Sequence, residues 1–321
     1  MLLGAISFGS GYGRWVNTRM GALLAVAVMS LAACSSGERE RSPESLSTPR
    51  GQGSGAKSFE QPFTDVKAYP VFASSEIVVG PNRLLVGLLN DKDAPIGSPK
   101  VDMRIEFFDL DRSARSPVAH ADMGFVWIQR PYLGLYKSRV RFDSAGKWGA
   151  EVTVKGDGLN ETVRASFEVS KESSTPALGS RPPASDTPTA SDVGKLSAIS
   201  TDDDPTPRFY DLSIAQALEA GRPSVVVFAT PKFCASATCG PTLDVVEEVA
   251  RGFPEVNFVH VEPYELPADP ANLRPVKAVS QWGLPSEPWV FVMNSKGRVV
   301  EKYEGIVGPS ELRAGLGRLN A

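Results

Sequence analysis

Two cysteines five positions apart, Cys234 and Cys239, are the residues whose types and spacing best suit chemistry in this sequence. They lie in the run FATPKFCASATCGP, which follows an apolar, strand-like stretch over 224–228 and precedes a helical pattern over 243–250. Two thiols at a strand-to-helix junction can exchange disulfides with other thiols, or they can form a disulfide that fixes a loop. The function of the chain depends on which of these roles the pair performs.

The spacing restricts where each cysteine can lie. Five residues of a continuous helix turn the chain by about 500°, which leaves the two side chains roughly 140° apart around the axis. A disulfide requires Cβ atoms about 4 Å apart, so both cysteines cannot lie in regular helix. The spacing therefore predicts Cys234 in the loop and Cys239 in the first helical turn, where Pro241 is also tolerated.

The remaining cysteine, Cys34, follows a short apolar stretch with Arg14 and Arg19 upstream. This pattern is typical of a secretory signal, and it is too short to favour a permanent membrane-spanning helix. The letters LAAC that end at Cys34 resemble the bacterial lipobox, which implies removal of residues 1–33 and lipidation of Cys34. An ordinary secretory signal with a chance cysteine is the alternative interpretation.

The lipobox resemblance implies a lipid-anchored protein on the extracytoplasmic side of the cell membrane. A disulfide is stable in that compartment, so we expect a Cys234–Cys239 bond and partners that are protein thiols or disulfides of the cell envelope. The formal net charge of −3 gives no basic footprint for nucleic acid, so we expect no such partner. We expect no bound metal and no other cofactor.

Composition divides the 321 residues into two candidate domains. Residues 34–65 are rich in Ser, Gly and Pro and predict a disordered tether. Residues 171–207 contain clusters of Pro and Asp and predict a semi-stiff linker. The candidate domains are therefore 66–170 and 208–321.

The first candidate domain shows short stretches of alternating apolar and polar residues, such as 101–107 and 135–142, separated by turn residues. With no helical period between them, these stretches predict an all-β antiparallel sandwich. The run GLYKSRVRFDSAGKW over 134–148 resembles the late hairpin of Ig-like sandwiches in bacterial envelope lipoproteins. This resemblance implies an Ig-like domain that acts as a spacer or docking module.

The second candidate domain alternates helical and strand patterns, and Ser213 with Gln216 predicts a capping box at its first helix. The predicted elements are a helix to 220, a strand over 224–228, a helix over 243–250, a strand over 256–261, a helix over 276–282, a hairpin of 289–293 and 298–303, and a helix over 310–319. The continuous apolar run over 225–228 is typical of a strand buried on both faces.

Three runs in this half resemble the thioredoxin family. They are VVVFATPKFC over 225–234, CGP over 239–241 and EPWVFV over 287–292, in which Pro288 stands where the family keeps a cis-proline. The resemblance covers about a third of the chain and implies an α/β thioredoxin-like fold. It also implies that Cys234 and Cys239 are redox-active and that Glu287, Pro288 and Trp289 contact the substrate backbone.

The chain departs from the family pattern at the cysteines and in the strand that precedes them. The spacing is C-x4-C, Thr242 takes the place of a family cysteine if Cys239 is the first of the pair, and Phe233 replaces a tryptophan. Val227 stands where thioredoxins usually carry a buried aspartate. Which cysteine is the nucleophile stays open, because the start of the helix favours a thiolate at Cys239 whereas alignment of the strand end favours Cys234.

A long, proline-rich loop over 262–275 follows the strand over 256–261. It leaves the strand at its C-terminal end, the edge where α/β proteins place their sites. Tyr264 in this loop and Trp289 are therefore candidate aromatic contacts for a partner, and a solvated loop is the alternative.

The leading hypothesis is a membrane-anchored thiol–disulfide oxidoreductase that uses Cys234 and Cys239. The main alternative is a non-catalytic thioredoxin-like binding module with a structural disulfide. Two lesser alternatives are a peroxiredoxin-like peroxidase, since TPKFC resembles the TPxC motif, and a copper-delivery protein. Copper binding would use the cysteines with the distant His260, or His120 with Met103 and Met123, although a histidine in a strand is commonly packed and such methionines commonly fill a core.

Overall fold

The structure, a computed structural model, describes residues 58–60, 63 and 65–320. The predicted signal peptide, the predicted lipidation site Cys34 and nearly all of the predicted tether lie outside the described residues. Within the part of the chain that the structure describes, no helix combines the length and the apolar character needed to cross a membrane.

Seven strands in the first half form one continuous sheet in which every neighbouring pair is antiparallel. The strands are β1 (Ala68–Phe72), β2 (Gly80–Asn90), β3 (Asp102–Asp109), β4 (Ala119–Gln129), β5 (Leu133–Phe142), β6 (Gly146–Gly156) and β7 (Leu159–Val169). Their order is β1-β2-β5-β4-β3-β6-β7, and β1 contacts β7. The sheet therefore curls into a nearly closed, barrel-like shape.

The predicted Ig-like sandwich of two packed sheets was wrong, and β4 is the reason. Its first half pairs with β3, where Met103 lies opposite Met123, and its second half pairs with β5, where Gly124 lies opposite Lys137. A strand of eleven residues is long enough to serve both neighbours, so it joins what would otherwise be two sheets into one. Alternating apolar and polar residues occur in sandwiches and barrels alike, so the sequence pattern does not separate them.

The interior of this sheet consists of large apolar side chains from alternate strand positions. Ile105, Phe107, Tyr136 and Phe142 have no exposed surface, and the rings of Phe107 and Phe142 meet edge to face at 5.3 Å. Each such side chain contributes about 1.5–3 kcal/mol through burial. This core explains why the alternation at 101–107 and 135–142 identified β3 and β5, even though the pattern missed β1 and β4 and did not identify the architecture.

Four further strands and four helices make up the second half. The strands are β8 (Ser224–Phe228), β9 (Asn257–Val261), β10 (Trp289–Met293) and β11 (Val299–Glu304), and the helices are α1 (Ile214–Glu219), α2 (Cys239–Ala250), α3 (Lys277–Gln281) and α4 (Pro309–Leu316). The strand order is β11-β10-β8-β9, in which only β8 and β9 are parallel. The order of helices and strands along the chain agrees with the prediction.

The predicted α/β thioredoxin-like class was nevertheless wrong. Strand dominates the described residues as a whole, two of the three pairings in the second sheet are antiparallel, and three of its four helices have eight residues or fewer. An α/β class rests on parallel strands joined by crossover helices, and here only the connection from β8 through α2 to β9 has that form. The order of elements was therefore a poor guide to the class, because it does not determine strand direction.

Local sequence accounts for the first elements of this half. The Ser213 Oγ accepts a hydrogen bond from the Gln216 amide at 3.1 Å, and the Gln216 side chain accepts one from the Ser213 amide at 2.8 Å. The predicted capping box is therefore confirmed. Gly221, with φ of +64°, follows the helix, and the fully buried run of β8 begins at Ser224. This arrangement places the C-terminal end of β8 immediately before the cysteine loop.

Residues 171–207, the predicted linker, lie along the second half and hydrogen-bond to it. The Ser185 hydroxyl donates to the Gln281 side chain at 2.6 Å and accepts from the Trp282 indole at 3.2 Å. The Thr187 hydroxyl accepts from the Ile214 amide at 3.1 Å. The domain boundaries at 66–170 and 208–321 stay a prediction.

Charged residues tie the two sheets together where they meet. Lys302 of β11 pairs with Glu76 at 2.6 Å, and their side chains are 16% and 8% exposed. Glu76 also accepts hydrogen bonds from the backbone and hydroxyl groups of residues 173–175. Burial by itself raises the pKa of Glu76, but the hydrogen bond and charge of Lys302 outweigh it and lower the pKa below its ordinary value of 4.5.

We predict that Lys302→Met lowers the free energy of unfolding by about 3 kcal/mol at pH 7, because it leaves a buried carboxylate without its cation. The folded-state pKa of Glu76 is depressed, so its contribution is present above pH 4.5 and is lost as the pH falls through the folded pKa. The difference between wild type and variant should therefore shrink in acid. Urea denaturation at pH 7 and at about pH 3 measures both values.

The matched control is Lys155→Met, which removes an exposed lysine of β6 and should change the stability by less than about 0.5 kcal/mol. If Lys302→Met lowered the free energy of unfolding equally at both pH values, the lysine would stabilise the contact between the two sheets by packing and not by its charge.

Candidate functional site

Cys234 and Cys239 form a disulfide whose Cα atoms are 5.9 Å apart, within the usual range for such bonds. Cys239 is the first residue of α2 and Cys234 lies in the loop before it, as the spacing predicted. The loop turns at Ala237, which has φ of +55° and donates its amide to the Cys234 carbonyl at 3.3 Å. The turn brings the second cysteine back to the first.

The two sulfurs have different surroundings. Cys239 has no exposed surface and packs in the core with Leu243 and Val246 of the same helix, whereas Cys234 is partly exposed. The Cys239 amide donates to the Cys234 Sγ at 3.3 Å, and the Ser236 Oγ lies 3.3 Å from the same sulfur. In the reduced protein the Cys239 amide would stabilise a thiolate on Cys234. The geometry therefore favours Cys234 as the reactive thiol.

The loop before β10 lies beside the disulfide. The Glu287–Pro288 peptide is cis, as the resemblance implied, and the Ser236 hydroxyl donates to the Glu287 carbonyl at 3.5 Å. Pro288 is buried, and its carbonyl accepts the Gly305 amide at 2.9 Å. The structure thus brings Glu287 and Pro288 to the cysteine loop, while a role in substrate binding stays a prediction.

Trp289 lies at the start of β10 but presents little surface. It is 2% exposed, its ring stacks on Phe291, and its indole N–H donates to the Ser286 hydroxyl at 3.2 Å. The predicted aromatic contact with a partner remains untested, and the ring would reach one only after a local rearrangement.

Tyr264, from the long loop after β9, hydrogen-bonds to the Glu287 side chain. Burial, together with the Glu287 charge, raises the pKa of Tyr264 to about 12. Burial also raises the pKa of Glu287, against the opposing effect of the Tyr264 hydrogen bond. The two predicted residues therefore support each other next to Pro288, with the tyrosine hydroxyl protonated at neutral pH.

The sequence prediction missed a buried carboxyl at this end of the sheet, Glu262. It is 5% exposed, and one of its oxygens accepts hydrogen bonds from the Thr201 amide at 2.9 Å and hydroxyl at 2.6 Å. Its other oxygen has no hydrogen-bond partner among the described residues, and burial raises its pKa. The available signal for this carboxyl is an acidic residue directly after a buried strand, but the sequence prediction places Glu262 in the loop that follows.

The copper alternative finds no ligand set in the described part of the chain. His260 is buried with its Nε2–H donated to the Ala229 carbonyl at 2.9 Å and its Nδ1 accepting from the Tyr210 hydroxyl at 2.6 Å. Burial lowers the pKa of His260 to about 4, so the ring is neutral. Both of its nitrogens are occupied by protein groups.

The histidine and methionines of the first half do not form a site either. Met103 and Met123 are buried opposite each other in the core of the first sheet, while His120 lies opposite Glu106. Over residues 58–60, 63 and 65–320, no three His, Cys, Asp or Glu side chains are grouped so that they could hold a metal ion.

No family model and no curated protein matches the sequence. Among solved structures, MTB dsbF in its mixed oxidized and reduced forms is 22% identical over 31% of this chain and 81% of that chain, with a TM-score of 0.24. Parabacteroides merdae β-glucuronidase is 17% identical over 33% of this chain and 14% of that chain, with a TM-score of 0.21. The PKD domain of the human receptor SorCS2 is 13% identical over 44% of this chain and 98% of that chain, with a TM-score of 0.20.

We predict that, after reduction, iodoacetamide modifies Cys234 at least about tenfold faster than Cys239, because the Cys239 thiol is buried. A quenched time course followed by tandem mass spectrometry resolves the two positions, and Cys34, within one chain. The same protein unfolded in urea is the control and should show similar rates at both positions. Faster modification of Cys239 in the folded protein would reverse the assignment of the reactive thiol.

Proposed function

We propose that this protein is a thiol–disulfide oxidoreductase in which Cys234 attacks and Cys239 resolves. The observation that carries the proposal is the disulfide at the start of α2, in which one sulfur is partly exposed and receives the amide of the buried partner. A thiol that is accessible and stabilised as the thiolate is what nucleophilic attack on a disulfide requires.

The exchange proceeds in two balanced steps. In the reduced protein the Cys234 thiolate attacks one sulfur of a substrate disulfide, which forms a mixed disulfide and releases the other substrate sulfur as a thiolate. The Cys239 thiol then attacks the Cys234 sulfur, which forms the Cys234–Cys239 bond and breaks the mixed disulfide, and its proton passes to the second substrate thiolate as that group leaves. Two electrons pass from the pair to the substrate, and the reverse sequence oxidises a dithiol.

The substrate-binding residues in this proposal are Glu287, Pro288, Trp289 and Tyr264. The hydrogen bond from Ser236 to the Glu287 carbonyl keeps the Pro288 loop within reach of a chain bonded to Cys234. The Tyr264 hydroxyl fixes the Glu287 side chain, so the acid would face the segments of substrate that flank its cysteine. We therefore propose extended polypeptides as substrates, with protein thiols and disulfides of the cell envelope as the partners.

A binding module with a structural disulfide is the second candidate, and two observations favour it. Cys239 has no exposed surface, and the fully buried Val227 lies opposite His260 in the β8–β9 register, so that strand position carries no carboxyl to take up a proton. A structural bridge resists reduction, with a potential below about −300 mV, whereas a catalytic bridge has a higher one. The redox potential therefore separates the two functions.

We predict a redox potential above −300 mV for the Cys234/Cys239 couple, on the order of −200 to −270 mV, as is typical of redox-active pairs. The measurement is equilibration of the full chain carrying Cys34→Ser with glutathione or dithiothreitol buffers, followed by alkylation and mass analysis. Cys34→Ser ensures that only the pair titrates.

Trapping provides the matched comparison. Cys239→Ser should accumulate a mixed disulfide between Cys234 and an oxidised substrate protein, because the resolving thiol is gone. Cys234→Ser should trap little, since its remaining thiol is buried. A potential below about −300 mV with no trapping in either variant would favour the binding module.

We further propose that Cys34 is lipidated and holds the protein on the extracytoplasmic side of the cell membrane, a proposal that rests on the lipobox-like sequence before it. In bacteria that express the full chain, wild type should incorporate radiolabelled palmitate and fractionate with membranes. Cys34→Ser should lose both properties, whereas the control Cys234→Ser should keep them. Label that persists in Cys34→Ser would contradict the anchor.

A further inference from the structure

The segment Glu304–Ile306, which begins at the last residue of β11 and leads towards α4, contacts both elements that form the candidate redox site. The Gly305 amide donates to the Pro288 carbonyl at 2.9 Å, and the Gly305 carbonyl accepts the Thr242 hydroxyl at 3.2 Å. Thr242 belongs to α2, which begins at Cys239. One residue therefore bridges the Pro288 loop and the helix that carries the buried cysteine.

The first sheet holds this segment from the other side through Arg83 of β2. The Arg83 guanidinium donates to the Glu304 carbonyl at 2.9 Å and to the Ile306 carbonyl at 2.6 Å. The same guanidinium pairs with Glu311 through two hydrogen bonds of 2.8 and 3.0 Å. Its side chain is only 6% exposed. The carbonyls on both sides of Gly305 are thus fixed by one buried cation.

A second contact from the first sheet reaches the residues just before Pro288. The Ser75 amide donates to both oxygens of the Glu304 side chain, at 2.8 and 3.0 Å. Ser286 donates to Glu304 at 2.9 Å, lies 3.0 Å from the Ser75 hydroxyl, and accepts the Trp289 indole N–H. The Pro288 loop is therefore held at both ends by groups that are themselves held by the first sheet.

We infer that the seven-stranded sheet is a working part of the redox site, and that Arg83 is a positioning residue that sets the Pro288 loop against the Cys234 loop through Glu304–Ile306. The inference rests on the proposed oxidoreductase function. Arg83 does not touch the cysteines, so it acts on how a polypeptide substrate is held during exchange and not on the reactivity of the thiol itself. Misplacement of a substrate by about 1 Å is enough to slow a reaction strongly.

Kinetics on the full chain test the inference, with insulin as the protein disulfide and dithiothreitol as the reductant. Arg83→Met should lower kcat/KM for insulin by about tenfold, because the loop that holds the substrate is no longer fixed. The rate at which iodoacetamide modifies Cys234 should stay within about twofold of wild type, because the groups around its sulfur remain. Arg83→Lys should give an intermediate kcat/KM, since an ammonium cannot reproduce the planar fork of a guanidinium.

Two further variants keep the test informative if Arg83→Met folds poorly. Ser286→Ala removes the hydroxyl between Glu304 and the Trp289 indole without removing a charge, and it should lower kcat/KM in the same direction. Arg141→Met is the matched control, because this β5 arginine is 70% exposed and its ion pair with Asp143 lies on the surface. It should leave the kinetics of insulin reduction unchanged.

The outcomes separate this inference from the function on which it rests. A wild-type protein that reduces insulin, together with Arg83→Met and Ser286→Ala variants that do so equally well, would overturn the positioning role and leave the oxidoreductase intact. Equal losses in insulin reduction and in Cys234 alkylation would also overturn it, since a general loss of structure moves both. A wild-type protein that reduces no disulfide would overturn the proposed function and the inference together.

Discussion

The buried guanidinium of Arg83 is the interaction on which the arrangement of the two sheets depends. Removing a cation from water costs several kcal/mol unless its hydrogen bonds and charge are matched. Arg83 meets that requirement only with groups of the second half, namely the Glu311 carboxylate and the carbonyls of Glu304 and Ile306. Glu311, which is also paired with Lys137, faces the same requirement in return, and both cations lower its pKa although burial raises it. A shift of one half relative to the other would therefore expose a buried charged group or leave it without its partner.

The same packing accounts for the difference between the two cysteines. Helix α2 (Cys239–Ala250) lies against the second sheet through Leu243, Val246 and Val249, and its first residue is drawn into that core. Cys234 is left in the preceding loop, where it is partly exposed and the Ser236 Oγ lies 3.3 Å from its sulfur. A disulfide formed between a core position and a loop position has one protected sulfur and one accessible sulfur. In the proposed exchange, that asymmetry means that an incoming thiol or disulfide would meet Cys234 first.

Local features were predictable from sequence because neighbouring residues determine them. The capping box at Ser213 and Gln216 and the division of the cysteine pair between loop and helix follow from spacing alone. The fold class was not predictable in this way. The strand β4 (Ala119–Gln129) changes its partner from β3 to β5 along its length, and nothing in its own sequence pattern indicates that change. The role of Arg83 could not be predicted from the sequence for a related reason. It occupies a polar position in an alternating strand, and its partners Glu304 and Glu311 lie more than two hundred residues away.

Composition does not report the contacts between the two halves, because a segment predicted as a linker can still be held by hydrogen bonds. Residues 173–175, within the predicted linker, donate to Glu76, which in turn pairs with Lys302 of the second sheet. A fragment from residue 208 onward would leave Lys302 without Glu76, and Glu311 without Arg83 and Lys137. Each is largely buried at the seam, so each would have to be hydrated by a local opening of β11 or α4 (Pro309–Leu316). Such an opening would begin beside Gly305, the residue that joins the Pro288 loop to the cysteine helix. The cysteine pair and the contacts between the two sheets are therefore structurally linked, although their residues lie far apart in sequence.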